Sequence, residues 1–135
     1  MTLSAEQFEY AVKRLDNGFN HIVGLSLESI TDDCCTVSLE ISAEHLNPSN
    51  YTHGGVLFTL MDVSAGLAAT YYGSSFRSVV TQCADIHFLK MADLGKIVAC
   101  STVIKSGNNT AVVKVDISNS KGDLIASGLF DFFYI

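Results

Sequence analysis

His53-Gly54-Gly55 stands just ahead of an apolar run, and nine residues after the histidine that run carries a single carboxylate, Asp62. A helix opening at His53 would present free backbone N–H groups and the positive end of its dipole. Glycine would let a ligand come close to that backbone. An ester or thioester carbonyl held there would be polarised, and its developing oxyanion stabilised. The same glycines also suit tight packing of a helix on a sheet, and the pattern alone weighs the two readings equally.

Asp62 sits between Leu60, Met61 and Val63, a poor setting for a free surface charge. Burial would raise its pKa toward the range useful to a base or a nucleophile. A structural carboxylate paired with a buried hydroxyl or backbone group gives the same pattern, so both readings stay open. On a regular helix, nine residues span about 13–14 Å of rise and roughly half a turn. His53 and Asp62 therefore cannot face one small site within one subunit. Two such helices lying antiparallel across a two-fold axis would bring the start of one near the middle of the other, giving two sites per dimer.

Those residues need a loop, a helix and strands to hold them. Residues 45–52, HLNPSNYT, contain the only proline and deliver Asn47, Asn50 and Thr52 to the helix start. Residues 53–72 read as the helix, stopped by Gly73; it is apolar nearly all round, which predicts burial on most sides. Ahead of it, Ser4-Ala5-Glu6-Gln7 has the form of a capping box, and Phe8, Val12 and Leu15 recur at helical spacing up to a stop at Gly18. Residues 22–29 suggest a strand and Thr31-Asp32-Asp33 a turn. Cys35, Val37, Leu39 and Ile41 alternate with Thr36, Ser38 and Glu40, as in a half-buried strand. After the long helix come strand-like runs at 79–89, 96–105, 110–118 and 124–134. The last three are joined by turn chemistry at 106–109 and 119–122, so they read as consecutive antiparallel strands. The order predicts an α+β fold, one sheet wrapped around a central helix in a single domain spanning 1–135.

Composition excludes several classes. A net charge of -6 over 135 residues, with a pI near 4.9, offers no basic face for nucleic acid. Gly54, Gly55, Asp62, Ser64 and Gly66 interrupt the longest apolar stretch, so no membrane span is expected. The start, MTLSAEQFEY, is amphipathic and acidic, unlike a signal peptide. Cys34, Cys35, Cys83 and Cys100 form no CxxC pair, and His21, His45, His53 and His87 show no zinc spacing, so no metal is expected. The cysteines read as reduced, buried thiols of a cytoplasmic protein.

Taken together, Asn47, His53-Gly54-Gly55, Asp62 and Thr81 in VVTQCADIHFLK resemble the hotdog-fold acyl-CoA thioesterases of the phenylacetate-degradation (PaaI) type, from about residue 18 to the C-terminus. The resemblance implies an antiparallel sheet wrapped around the long helix, and homodimers pairing into a homotetramer with active sites at the dimer interface. It implies an acyl-CoA substrate and no cofactor. By its pattern, the Gly54 backbone N–H meets the thioester carbonyl and His53 assists there. Asp62 of the partner subunit acts as general base or nucleophile, and Asn47 and Thr81 orient the water or the carboxylate. Gly55, Lys90 and Asn108 are the substrate-binding candidates. Lys90, with Lys105 as a second lysine, would meet CoA phosphates. Asn108 follows Gly107 where relatives often carry a basic residue that touches CoA phosphate. Asn50 stands where many relatives have glycine, and asparagine tolerates the left-handed backbone that glycine serves. Lys90-Met91 stands where relatives commonly have a basic residue followed by proline. Tyr71, Tyr72 and Phe76 are read as side chains that the partner chain contributes to the shape of the acyl pocket. Two competing classes are an acyl dehydratase on the same fold, using His53 and Asp62, and a non-hydrolytic acyl-CoA binding protein. The loop before the helix does not resemble the dehydratase pattern, and the chain leaves no room for the DNA-binding appendage of a sensor.

Overall fold

The computed structural model describes residues 3–135. The capping box forms: the Gln7 N–H donates to Ser4 Oγ at 3.2 Å and the Ser4 N–H to Gln7 Oε1 at 3.0 Å, opening α1 (Ala5–Leu15). The next segment departs from expectation. Gly18 does not end the first helix but starts a second, α2 (Gly18–Val23), where the residues from 22 had suggested a strand. Asn20 O takes the N–H groups of Gly24 and Leu25 at 3.0 and 3.2 Å, and Gly24 adopts φ 92°, so the turn closes locally. Ile22, the apolar residue that suggested a strand, is exposed.

Six strands follow: β1 (Ser26–Ile30), β2 (Cys34–Ile41), β3 (Val79–Phe88), β4 (Gly95–Ser106), β5 (Thr110–Asn119) and β6 (Leu124–Tyr134). They form one antiparallel sheet in the order β1-β2-β4-β5-β6-β3. The alternation on β2 is as read, with Cys35, Val37, Leu39 and Ile41 all buried. Ser38 on the opposite face is also buried, beneath Glu28, to which its hydroxyl donates. Only one of the four cysteines matches the expectation of a buried thiol. Cys35 is buried, Cys34 is half-buried, and Cys83 and Cys100 are exposed.

The long helix α3 (Gly54–Thr70) crosses the concave face of the sheet. Leu57, Leu60, Met61, Ser64, Ala65, Ala68, Ala69 and Thr70 are its buried residues. Their spacing is that of one helical face, and the small side chains toward its end let the sheet close in. Each large apolar side chain buried there stabilises the fold by about 1.5–3 kcal/mol. Ser64 is pinned from below: it donates to Cys35 O at 3.2 Å and accepts from Ser101 Oγ at 2.7 Å. At the far end Tyr134 donates to Ala69 O at 3.1 Å.

The other side of α3 is only partly covered. Gly55, Phe58, Thr59, Asp62, Val63, Gly66 and Leu67 all keep partial or full exposure. The expectation of burial on most sides is therefore corrected: a helix apolar all round has only half its circumference fully covered within this chain. Asp62 lies on the open half. Gly66, also there, costs roughly 0.5–1 kcal/mol relative to alanine in a helix interior.

Among the described residues, no helix is long and apolar enough to cross a membrane.

Candidate active site

The loop before α3 is tied down at both ends. Asn47 N–H donates to Tyr51 O at 2.7 Å and His53 N–H to His45 O at 2.9 Å. The buried Thr52 hydroxyl donates to Ala92 O at 2.7 Å, holding the loop to the segment after β3. Asn47 Oδ1 accepts from the Ser49 and Tyr51 N–H groups at 2.9 and 3.1 Å. Its carbonyl is thus spent on the loop, and its amide NH2 is the group left to donate. Asn50 has φ 66°, the left-handed conformation for which asparagine is suited.

His53 is the N-cap. Its Nδ1 accepts from the Gly55 N–H at 2.8 Å, and its carbonyl accepts from Val56 and Leu57 N–H at 2.9 and 3.3 Å. Among the described residues, this leaves the Gly54 N–H as the one amide of the first helical turn without a partner. With Nδ1 accepting, the neutral ring carries its proton on Nε2, a second donor at the exposed helix start.

The two glycines are now distinguishable. A Cβ on Gly55 would meet His53 Nδ1 at 3.0 Å, so glycine there protects the cap. A Cβ on Gly54 would meet only the Phe88 ring, at an ordinary 3.7 Å. Helix–sheet packing therefore does not explain Gly54. Asn47, Gly54, Leu57, Phe88, Lys90 and Met91 line an open cleft of about 570 Å³ beside it. The mostly apolar walls and the few donors suit a small-molecule site.

Asp62 stands elsewhere, on the open side of α3. Thr81 Oγ1 donates to its Oδ1 at 2.6 Å. β3 bulges between Thr81 and Cys83, and a bulge re-aims the side chains beside it. Burial raises the Asp62 pKa above the usual carboxylate value, while the Thr81 hydrogen bond works against that shift. The hydroxyl partner is the one expected of a structural carboxylate, but the site is half-open and the proton is held more tightly than usual. α3 is helical throughout from Gly54 to Thr70, so Asp62 and the His53 ring remain separated by about 13 Å of helical rise.

The remaining candidates separate. Lys90 lines the cleft, yet its Nζ pairs with Asp123 Oδ2 at 2.7 Å. Asn108 and Lys105 are exposed near the β4–β5 turn. Arg77, which sequence reading passed over, donates to Gly107 O and Asn108 O at 3.2 and 2.6 Å and stacks 3.6 Å over the Tyr134 ring. A guanidinium therefore stands beside Asn108, at the position where a basic residue was missing. Its signal was absent because Arg77 precedes the turn it serves by 30 residues. Tyr71 is buried in the core with Phe76 edge-on against it, while Tyr72 and Phe76 are exposed. Among the described residues, no group of three or more His, Cys, Asp or Glu side chains could hold a metal ion.

Comparison with known proteins gives consistent matches. Residues 49–126 match the family model of the thioesterase superfamily. A putative esterase of Archaeoglobus fulgidus is 34% identical over 91 residues, which is 67% of this chain and 57% of that protein. The chain thus spans little more than half the length of that relative. Human acyl-coenzyme A thioesterase 13 is 31% identical over 133 residues, 95% of this chain and 92% of that protein. Among solved structures, the Escherichia coli PaaI protein from the phenylacetic acid degradation operon superposes with a TM-score of 0.89 at 24% identity, covering 99% of this chain and 96% of that one. The sheet wrapped around a central helix is therefore the hotdog arrangement that the motif implied.

Proposed function

The chain belongs to the thioesterase superfamily, and from that premise we propose that it hydrolyses acyl-CoA thioesters to a carboxylate and free CoA at a site shared between two copies. The observation that carries this reading is the Asp62–Thr81 pair on the partly covered side of α3, a carboxylate with a raised proton affinity and a positioned hydroxyl. The other half-site supplies what Asp62 lacks: the Gly54 N–H, the His53 Nε2–H and the Asn47 amide around an open cleft.

The steps follow from these groups. The carbonyl oxygen of the thioester lies at the Gly54 N–H, with His53 Nε2–H beside it. Asp62 takes a proton from water as the water oxygen bonds to the carbonyl carbon, or attacks that carbon itself and, once the C–S bond has broken, is left as a mixed anhydride that water opens. The negative charge on the carbonyl oxygen is met by the donors at the helix start. The C–S bond then breaks, the electron pair leaves with sulfur, and the thiolate takes up a proton.

Two features support a second copy. The outer edge of β3 has no strand partner among the described residues, since β3 pairs only with β6. That edge carries exposed Val80 and Phe88, and Phe58 on α3 is exposed as well. An open, apolar strand edge is a template for pairing with another chain. A second copy there would set its α3 against this one and bring its helix start toward Asp62. Pairing of such dimers into tetramers belongs to the same proposal.

Free-thiol release from short, long and aryl acyl-CoAs, run beside the same acyl groups on acyl-carrier protein, tests the activity. Turnover of CoA thioesters is expected. Tight binding without thiol release would instead make the protein an acyl-CoA binder. For Thr81→Val, the acid limb of the kcat/KM profile is expected to move to higher pH. The lost hydrogen bond opposes the burial-driven rise of the Asp62 pKa, and the carboxylate is the active form. Below the limb the loss is roughly tenfold, the scale of one hydrogen bond to a charged group. A limb that stays in place would separate Thr81 from the reacting carboxylate.

A further inference from the structure

Gly66 has no packing reason to be glycine. A Cβ built on it would rest 3.5 Å from Phe132 Cε1 and 4.0 Å from Val79 Cγ2, ordinary contact distances. It lies inside α3, where alanine is the more favourable residue. What the missing side chain leaves open is a pocket of about 210 Å³ between α3 and the start of β3, lined in part by Val63, Gly66, Leu67 and Val79. Asp62 and Thr81 are not in its wall but stand next along α3 and β3 from the residues that are. Gly66 follows Asp62 by one helical turn on the same face, and Val79 precedes Thr81 by two residues on the same strand face.

Its two ends differ in chemistry. Near Asp62 the wall is apolar. Farther along stand Thr70, eight residues or about 12 Å of helical rise from Asp62, then Ser78, and Asn20 from α2. None of these three side chains makes a hydrogen bond to a described residue. Thr59 shows the contrast, since its hydroxyl turns back to Gly55 O at 2.8 Å as helical threonines commonly do. Arg14 reaches the rim, with its guanidinium over the Tyr10 and Phe76 rings at 5.8 and 5.2 Å.

We propose that this pocket, opened by Gly66, receives the acyl group of the substrate and selects medium-length chains whose far end carries a hydroxyl or carbonyl oxygen. The carbonyl carbon lies at Asp62, the stem runs past Val63, Gly66 and Val79, and the terminal oxygen meets Thr70, Ser78 and Asn20. The roughly 12 Å of helical rise from Asp62 to Thr70 sets the span of chain that the pocket fits. The proposal rests on the thioesterase reading of Asp62.

Thiol release from acetyl-, octanoyl- and ω-hydroxyoctanoyl-CoA, compared in the wild type, Gly66→Ala, Gly66→Val and Thr70→Val, tests it. The wild type is expected to favour the ω-hydroxy chain over octanoyl about tenfold in kcat/KM. Gly66→Val is expected to lower kcat/KM for both eight-carbon chains at least about tenfold while acetyl-CoA stays within about twofold. Gly66→Ala, which has room and suits a helix, should show the same selectivity at smaller size. Thr70→Val should remove the preference for the hydroxylated end alone. Equal losses on acetyl and octanoyl chains, or no loss on octanoyl in both Gly66 variants, would overturn the pocket assignment. No preference for the oxygenated chain would overturn the polar-end assignment. A wild type that releases thiol from none of the three would instead sink the thioesterase reading, and the pocket assignment with it.

Discussion

Asp62→Asn is expected to lower kcat by about a thousandfold or more, since it removes the carboxylate proposed as base or nucleophile and general-base work alone contributes about 10²–10⁴. The amide keeps an oxygen to accept from Thr81, so the local geometry survives. The same substitution is expected to stabilise the protein at neutral pH. Burial holds the folded-state pKa of Asp62 above its unfolded value, so the ionised form is disfavoured by folding. That cost is absent at pH values where both states are protonated and grows as pH rises through the unfolded and then the folded pKa. Asparagine never ionises and escapes it. The melting temperature of Asp62→Asn should therefore match the wild type in acid and exceed it at neutral pH. Lost activity with gained stability is the signature of a carboxylate kept for chemistry. Unchanged turnover would remove Asp62 from the mechanism.

Asn47→Asp is expected to cost about a hundredfold in kcat/KM, the scale for losing one preorganised donor from an active site. The substitution is chosen because it divides the two jobs of Asn47. Aspartate still offers oxygens to the Ser49 and Tyr51 N–H groups, so the loop stays closed. It lacks the amide donor that faces no partner in the loop. A variant with normal activity would reduce Asn47 to a loop staple, as its position before Pro48 alone would suggest.

Local pattern made most of the fold legible. The capping box, the alternation on β2 and the turns at 106–109 and 119–122 each depend on residues close in sequence. Strand order does not. That β3 leaves β4 and pairs with β6 is a choice among distant partners, and of residues 22–29, expected as one strand, 26–29 is strand while 22–23 closes a short helix. The candidate site could be proposed from residue types, but its environment could not. Asp62 was read as surrounded by apolar neighbours, which is true along the chain but not around the helix, because the sheet covers only one face of α3. The apolar-all-round pattern was the correct signal with part of its cause missing: the open half carries Phe58, Val63 and Leu67, which this chain covers only in part. Gly66 looked like one interruption among several; a Cβ there would make only ordinary contacts, whereas on Gly55 it would crowd the His53 ring.

The central claim is that Asp62 and the Asn47–Gly54 half-site act from opposite copies. Mixing Asp62→Asn with Asn47→Asp tests it directly, after subunit exchange has been verified by native mass spectrometry. Each variant alone is nearly inactive. In a mixed dimer one site would hold both lesions and the other none. With random assortment half the dimers are mixed, so about a quarter of wild-type activity should return. A mixture that exchanges subunits but stays as inactive as its components would contradict the shared site.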